Sequence, residues 1–222
     1  MESVVRILAL ADEVNDALYA PETLKRAAPD VAVSCGDLPF DYLEYLVTIL
    51  NVPLLYVPGN HDPDLGARSE LEGLGQPPLE VAAEWTDHPT SGPQGGTNVD
   101  GRVEVARGLR VGGLGGSVRY REGPNQYTQA QMRRRARRLA RRARLRGGLD
   151  LLVTHAPPLG VGDEEDPAHT GFAAFHWLAS RLKPRLLVHG HIHPYGRKRP
   201  DRRMGEMLVV NAVPSRIVEM SP

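Results

Sequence analysis

The sequence has little of several features that mark common classes of protein. It holds one cysteine, Cys35, among 222 residues, so an internal disulfide is excluded and a reducing compartment is favoured. No apolar run is long enough to cross a membrane, and the N-terminal run contains Arg6 and stops at Asp12, unlike a signal peptide. We therefore expect a cytoplasmic protein without a membrane segment, folded as one domain over residues 1–222.

The formal net charge is zero for the whole chain, but the two halves of the sequence carry opposite net charges. The chain has 27 basic and 27 acidic side chains. Residues 1–100 carry 17 acidic and 4 basic ones, whereas residues 101–222 carry 10 acidic and 23 basic ones. Because one domain would bring these halves together, we expect salt bridges between them. The alternative is a basic surface that binds an acidic partner.

Apolar runs that end in polar turns predict buried strands. The clearest is Leu54–Val57, which is followed by Pro58-Gly59-Asn60-His61-Asp62. The same form recurs at residues 7–12, 31–37, 151–155 and 186–193. Helical spacing between these runs, as at Leu43, Leu46 and Leu50, predicts βαβ units with parallel strands.

The remaining stretches predict a long loop, a hairpin and a basic helix. Residues 63–98 lose regular patterning, and a loop of this length would border a site. Arg102–Ala106 and Leu109–Leu114 predict a hairpin that leads into Gly112–Ser117, which lacks the lysine of a nucleotide-binding loop. Tyr127–Arg146 predicts a helix with nine arginines. We interpret it as a solvated face in preference to a nucleic-acid surface.

The polar side chains at the predicted strand ends suit divalent metals. They are two carboxylates, one amide and four imidazoles, carried by Asp12, Asp37, Asn60, His61, His155, His191 and His193. Oxygen and nitrogen donors without thiolate favour Mn, Fe, Zn, Ni or Co. The set exceeds the four ligands of a tetrahedral site, and a shared carboxylate can bridge two metals about 3.5–4 Å apart. Two cations beside two aspartates leave positive charge, which favours a phosphate ester as substrate.

The order of these motifs resembles the calcineurin-like metallophosphoesterase family over nearly the whole chain. The motifs are Asp12, Gly36-Asp37, Gly59-Asn60-His61-Asp62, Thr154-His155 and Gly190-His191-Ile192-His193. The resemblance implies an α/β fold of two packed mixed β-sheets flanked by helices, with a dinuclear site at the strand ends. It also implies a hydrolase that cleaves phosphate mono- or diesters with a metal-bound hydroxide.

The resemblance also implies a role for each motif residue. Asp37 would bridge two metals, with Asn60, His155 and His191 completing one site and Asp12 with His193 forming the other. His61 would protonate the leaving oxygen or stabilise charge on the phosphoryl group, and Asp62 would orient it. Two loop residues, Arg119 and His169, are our candidates for contacting the substrate phosphate or the position of a missing ligand.

One histidine of the family pattern is missing. The first motif reads Asp-x-His in the family and Asp12-Glu13-Val14 here. The first metal site is therefore weak or empty, or else Glu13, Asn15, Asp16 or His169 fills it. Val14 favours a binding scaffold of the same fold, whereas the intact histidines favour an enzyme. A nuclease that uses the arginine helix and the basic cluster at residues 197–203 is a further alternative, and the substrate, the metal and the oligomeric state stay open.

Overall fold

The computed structural model describes residues 4–65, 92–196 and 199–221. The strands are β1 (Val5–Leu10), β2 (Val31–Ser34), β3 (Leu54–Tyr56), β4 (Gly96–Asn98), β5 (Val103–Ala106), β6 (Leu109–Leu114), β7 (Ser117–Val118), β8 (Gln126–Tyr127), β9 (Leu151–Thr154), β10 (Leu186–His189), β11 (Arg202–Met204), β12 (Met207–Asn211) and β13 (Ser215–Met220). The α-helices are α1 (Pro21–Ala27), α2 (Phe40–Leu50), α3 (Gln129–Leu145) and α4 (Ala174–Leu182).

The strands form two mixed sheets and a small ribbon. The first sheet has the order β13-β1-β2-β3-β4, in which β1 to β4 are parallel and β13 is antiparallel. The second sheet has the order β11-β12-β10-β9-β6-β5, with antiparallel strands at both edges. The ribbon pairs β7 with β8. This is the predicted α/β fold of two mixed sheets flanked by helices.

Strand alternation explains how four layers pack together. In β1, Ile7 and Ala9 face the second sheet, whereas Leu8 and Leu10 face the opposite side, where α1 and α2 cover them. The outer face of the second sheet carries Leu187 and is covered by α3 and α4. Each large apolar side chain buried in these layers contributes about 1.5–3 kcal/mol. The layers hold the carboxyl ends of the parallel strands in place.

The arginine-rich helix α3 forms because its local signals agree. Thr128 accepts a hydrogen bond from the backbone of Gln131, and the Gln131 side chain accepts one from the Thr128 backbone, which closes a capping box. Its apolar face is buried against the second sheet, as the helical spacing predicted. That face consists of Met132, Ala136, Leu139, Ala140 and Ala143. The helix starts two residues later than predicted because Tyr127 pairs in the ribbon.

Part of the predicted loop over residues 63–98 is a strand, since Gly96–Asn98 forms β4. Residues 66–91, including His88, and residues 197–198 of the basic cluster lie outside the described part of the chain. No helix among the described residues is long and apolar enough to cross a membrane.

The expected salt bridging between the halves is sparse. Arg6–Glu219 and Arg135–Asp100 each join an arginine to a carboxylate of the other half.

Candidate metal centre

Polar side chains from five strand ends meet between the two sheets. Candidate ligand atoms of Asp12, His155 and His191 lie within 4.8 Å of one another. Asp37 Oδ2 lies 3.3 Å and Asn60 Oδ1 2.9 Å from His155 Nε2. The strands therefore bring five of the six predicted ligands together. We call Asp37, Asn60, His155 and His191 the inner cluster.

The backbone of three candidate ligands is left-handed. The φ angles are 59° at Asp12, 58° at Asp37 and 67° at His191. Such angles are uncommon for residues other than glycine, and they cost about 1–3 kcal/mol where the surroundings impose them. They concentrate at functional sites, and here they turn each side chain towards the strand-end centre.

Neighbouring glycines make this turn arrangement possible. A Cβ on Gly36 would lie 2.2 Å from the backbone nitrogen of Gly59, and a Cβ on Gly190 would lie 2.3 Å from Asp12 Oδ2. Both distances are closer than real Cβ contacts allow. The glycine before Asp37 and the glycine before His191 are thus steric requirements of the site.

His155 is the centre of the inner cluster. Its Nδ1 donates to the carbonyl of Cys35 at 2.8 Å, which directs Nε2 towards Asp37 and Asn60. Burial would lower the pKa of His155, but Asp37 and, less strongly, Asp12 raise it to about 9. In the metal-free protein a positive charge is therefore favourable at this point, and a bound cation would take the place of the proton. His191 is the opposite case, because burial and neighbouring His155 lower its pKa to about 3 and keep the imidazole neutral.

The inner cluster fits a divalent cation. Carboxylate, amide and neutral imidazole donors without thiolate suit Mn, Fe, Zn, Ni or Co. Asn60 is 2% exposed, and its Nδ2 has no hydrogen-bond partner among the described residues. Because buried polar atoms are normally partnered, this nitrogen marks a polar position beside the cluster for an oxygen of a bound group.

A second group of polar side chains lies nearer to solvent. His193 Nδ1 lies 2.7 Å from Glu13 Oε1, and we call these two residues the outer pair. Asp12 lies between the outer pair and the inner cluster. One of its oxygens is 3.9 Å from His193 Nε2, and the other accepts the backbone N–H of His191 at 2.8 Å. Burial is the main cause that raises the pKa of Asp12 to about 6.

The first motif explains why Glu13 reaches His193. Val14, where the family has histidine, is partly buried and packs against the apolar cluster beneath α1 and α2. Asn15 caps the 3₁₀ turn Asp16–Tyr19, and its Nδ2 donates to Ser215. Of the residues expected to replace the missing ligand, Glu13 contacts a candidate ligand directly.

His169 lies beside the inner cluster. Its ring centroid is 5.3 Å from that of His191, and its Nδ1 lies 2.9 Å from Asp166. The guanidinium of Arg119, in contrast, donates to the Gln126 carbonyl at 3.3 Å and to Gln131 Oε1 at 3.4 Å, so it is held on the ribbon and α3.

The turn after β3 carries the two residues predicted to be catalytic. His61 is exposed, and its backbone N–H donates to Asp37 Oδ1 at 2.8 Å. Asp62 Oδ2 accepts the backbone N–H of Gly59 at 2.7 Å and that of Asp37 at 3.0 Å. Through these contacts the Asp62 carboxylate fixes the turns that carry Asp37 and His61, and its expected role of orienting the His61 imidazole stays a prediction.

The partner of the His61 ring is a residue that sequence analysis missed. Arg121 Nη2 lies 3.3 Å from His61 Nδ1. Arg121 stands 60 residues further along the chain, in the turn between β7 and β8. No spacing rule connects two such positions. The one signal in the sequence was the glycine-rich segment Gly112–Ser117, which leads into this ribbon and indicates that the backbone passes close to a site.

Comparisons with known proteins agree with this geometry. Residues 6–195 match the family model described as calcineurin-like phosphoesterase. A solved structure with 16% identity gives a TM-score of 0.63, and the match covers 99% of each chain. The crystal structure of TT1561 of Thermus thermophilus gives a TM-score of 0.59 at 20% identity, covering 95% of this chain and 89% of that one. No curated protein matches significantly. Since the family model spans most of its length, the chain belongs to the calcineurin-like phosphoesterase family.

Proposed function

We propose that this protein is a metal-dependent phosphoesterase that hydrolyses small phosphate mono- or diesters. The observation that carries the proposal is the convergence of Asp12, Asp37, Asn60, His155 and His191 at one edge of the two sheets. Two divalent cations bound there would neutralise phosphate charge and lower the pKa of an attacking water. Asp37 contacts His155 through one carboxylate oxygen and the backbone of the His61 turn through the other. It is our candidate for the bridging carboxylate.

His61 is proposed as the group that donates a proton to the leaving oxygen. Its imidazole is exposed on the solvent side of the centre, where a substrate can reach it. Because a guanidinium only donates, the contact with Arg121 is one that a neutral ring makes through Nδ1. To give a proton to the leaving oxygen the ring must be the imidazolium, so Arg121 must exchange His61 for another partner.

Arg121 is proposed to bind the substrate phosphate beside His61. The ribbon that carries it is fixed to the catalytic turn, since Gly116 N–H donates to the Pro58 carbonyl at 2.8 Å and Asn125 Nδ2 donates to the Asp62 carbonyl at 3.1 Å. Buried Gln126 shapes the turn by accepting the backbone N–H of Arg121 at 3.3 Å. A guanidinium held in this way can offer a planar pair of donors to phosphate oxygens.

The proposal is tested with two generic aryl phosphates, a monoester and a diester, assayed with saturating Mn²⁺. We expect turnover of at least one of them that is abolished by a chelator and restored by the metal. Elemental analysis of the same preparation should find divalent metal. Metal-loaded protein that turns over neither ester would refute the proposed function and favour the scaffold.

The role of Arg121 has a matched control in Arg119. We expect Arg121→Ala to raise KM and lower kcat/KM by about 10–100-fold, the scale of one charge-assisted contact of about 1.5–3 kcal/mol. Arg119→Ala removes the same charge from the same ribbon and should change kcat/KM less than about threefold. Equal losses of kcat/KM in both variants would show that the positive charge of the ribbon, and not the position of Arg121, supports activity.

A further inference from the structure

A basic groove lies on the outer surface, between α3 and α4. It is a depression of about 450 Å³ next to the exposed ring of Trp177, and its walls carry six arginines: Arg134, Arg137, Arg138, Arg141, Arg144 and Arg181. A smaller depression of about 190 Å³ on the same surface adds Arg133 and shares Arg137 and Trp177. The groove therefore continues past the tryptophan ring along α3.

The side chains of the six groove arginines have no polar partner among the described residues. None of their guanidinium groups makes a hydrogen bond or ion pair with any residue that the structure describes. Arginines on other faces of the same helix behave differently. Arg135 pairs with Asp100 at 2.5 Å, and Arg142 donates to the carbonyl of Gly101. The chain's preference for arginine over lysine explains the residue type, but it does not explain why the unpaired arginines cluster in one groove.

The cluster is unfavourable in isolation. Like charges one helical turn apart destabilise a helix by about 0.2–0.5 kcal/mol per pair. Arg134 and Arg138 form such a pair, as do Arg137 and Arg141. A polyanion bound in the groove would reverse the sign of this interaction, so the groove has the electrostatics of a site for an acidic partner.

The shape of the groove favours one class of polyanion. Membrane-surface helices insert an apolar face into the bilayer, but the apolar face of α3 is buried against the second sheet. What is exposed instead is a planar ring, since Trp177 is 41% accessible. A cationic groove with an aromatic platform is how proteins bind single-stranded nucleic acid, because phosphates pair with the cations and a base stacks on the ring.

We infer that the groove between α3 and α4 binds single-stranded DNA or RNA, with phosphates on its arginines and a base on Trp177. The proposal concerns binding only and uses none of the strand-end residues. It therefore stands or falls independently of the phosphoesterase proposal. It also differs from the nuclease alternative, since no bond need be cleaved.

The test is fluorescence anisotropy with a labelled oligothymidylate of about 12 nucleotides, within the usual site sizes of about 4–16. A chelator is present throughout, so that no metal-dependent cleavage removes the probe. Each phosphate contact to a single strand contributes about −0.7 to the slope of log K against log salt. We expect Arg137→Gln/Arg141→Gln to make the slope less steep by about 1.4 and to weaken binding about 25-fold near 0.1 M salt.

The control removes the same charge elsewhere. Lys25→Gln/Arg26→Gln lies on α1, which covers the first sheet, and should weaken binding less than about twofold. Trp177→Ala should weaken binding about fivefold or more through lost stacking, and Trp177→Phe should restore most of it. All of these side chains are exposed, so the variants should fold, and their melting temperatures confirm it.

Three outcomes would overturn the inference. If the α1 control lost as much affinity as the groove variant, net charge alone would account for binding. If Trp177→Ala bound like the unaltered protein, the groove would hold a polyanion without contacting bases. If the protein bound anionic phospholipid vesicles but not the oligonucleotide, the groove would be a membrane-facing surface.

Discussion

The inner cluster and the outer pair carry similar side chains in very different surroundings. The side chain of His155 is 0% exposed, whereas that of His193 is 34% exposed. In the inner cluster, Cys35, Asp37 and Asn60 at the ends of first-sheet strands hold the His155 ring, and the Ala168 carbonyl lies 2.7 Å from His191 Nε2. In the outer pair, a single exposed carboxylate, Glu13, holds the imidazole.

If the centre binds two metals as proposed, this difference predicts that it binds them with unequal affinity. Charged interactions are stronger where water is excluded, and ligands held by packing lose little freedom when they bind. The outer pair lacks the family histidine, and solvent reaches it. Glu13 can offset this in part, because a carboxylate on the far nitrogen of a histidine orients the ring and raises its basicity.

The largest expected effect belongs to Asp37, whose carboxylate lies within the inner cluster. We expect Asp37→Asn to lower kcat by at least about 10³-fold with saturating Mn²⁺, because a bridging carboxylate serves both metals. Asp16→Asn changes an exposed carboxylate of the 3₁₀ turn that follows the first motif, and it is the control. Turnover of Asp37→Asn close to that of the unaltered protein would contradict the dinuclear mechanism.

His61 tests the boundary between ligands and catalytic groups. We expect His61→Ala to leave metal content unchanged and to lower kcat by about 10²–10⁴-fold, the scale of general acid assistance. Elemental analysis and steady-state kinetics on one preparation check both parts. Loss of metal from this variant would show that His61 is a ligand and belongs with the inner cluster.

The buried imidazolium of His155 predicts how stability depends on pH. Since Asp37 and Asp12 raise the folded-state pKa of His155 from 6.5 to about 9, its contribution is complete below pH 6.5 and is lost as the pH rises through 9. Metal-free protein should lose up to about 3 kcal/mol of unfolding free energy over that window. Urea unfolding with a chelator measures this. His155→Gln, which cannot titrate, should not show the loss, and unchanged stability of the parent would refute the charge assignment.

The smallest expected effect concerns the outer pair. A metal titration at one pH should resolve two affinities, and the weaker ion should leave on dialysis. We expect Glu13→Gln to weaken that weaker site by about 10–100-fold, the usual effect of removing the carboxylate behind a ligating histidine. The tight site should not change, and Glu22→Gln, an exposed carboxylate on α1, should change neither. Two equally tight ions in the unaltered protein would show that the inner cluster and the outer pair do not differ in metal affinity.

The sequence predicted the parts of this centre that depend on local patterns. Apolar runs identified β1, β2, β3, β9 and β10, and polar residues at their ends identified the ligand candidates. Helical spacing identified α3 to within two residues. These signals succeed because buried parallel strands and amphipathic helices are visible in a short window.

Contacts between distant segments could not be predicted in this way. β4 reads Gly-Thr-Asn and becomes a strand only because β3 pairs with it. Arg121 reaches His61 only because the ribbon is fixed to the turn after β3. The role of Asp62 depends on two backbone N–H groups that no motif displays.

The left-handed backbone at Asp12, Asp37 and His191 has a consequence for protein engineering. Asparagine tolerates this conformation better than most residues, and at position 12 it keeps an oxygen that can accept the backbone N–H of His191. Asp12→Asn would also remove a buried carboxylate whose ionisation the fold opposes. At position 37 the same change would remove the charge that stabilises the His155 imidazolium. A selection for heat resistance carried out without metal would therefore favour Asp12→Asn over Asp37→Asn, so directed evolution of this protein should be run with metal present.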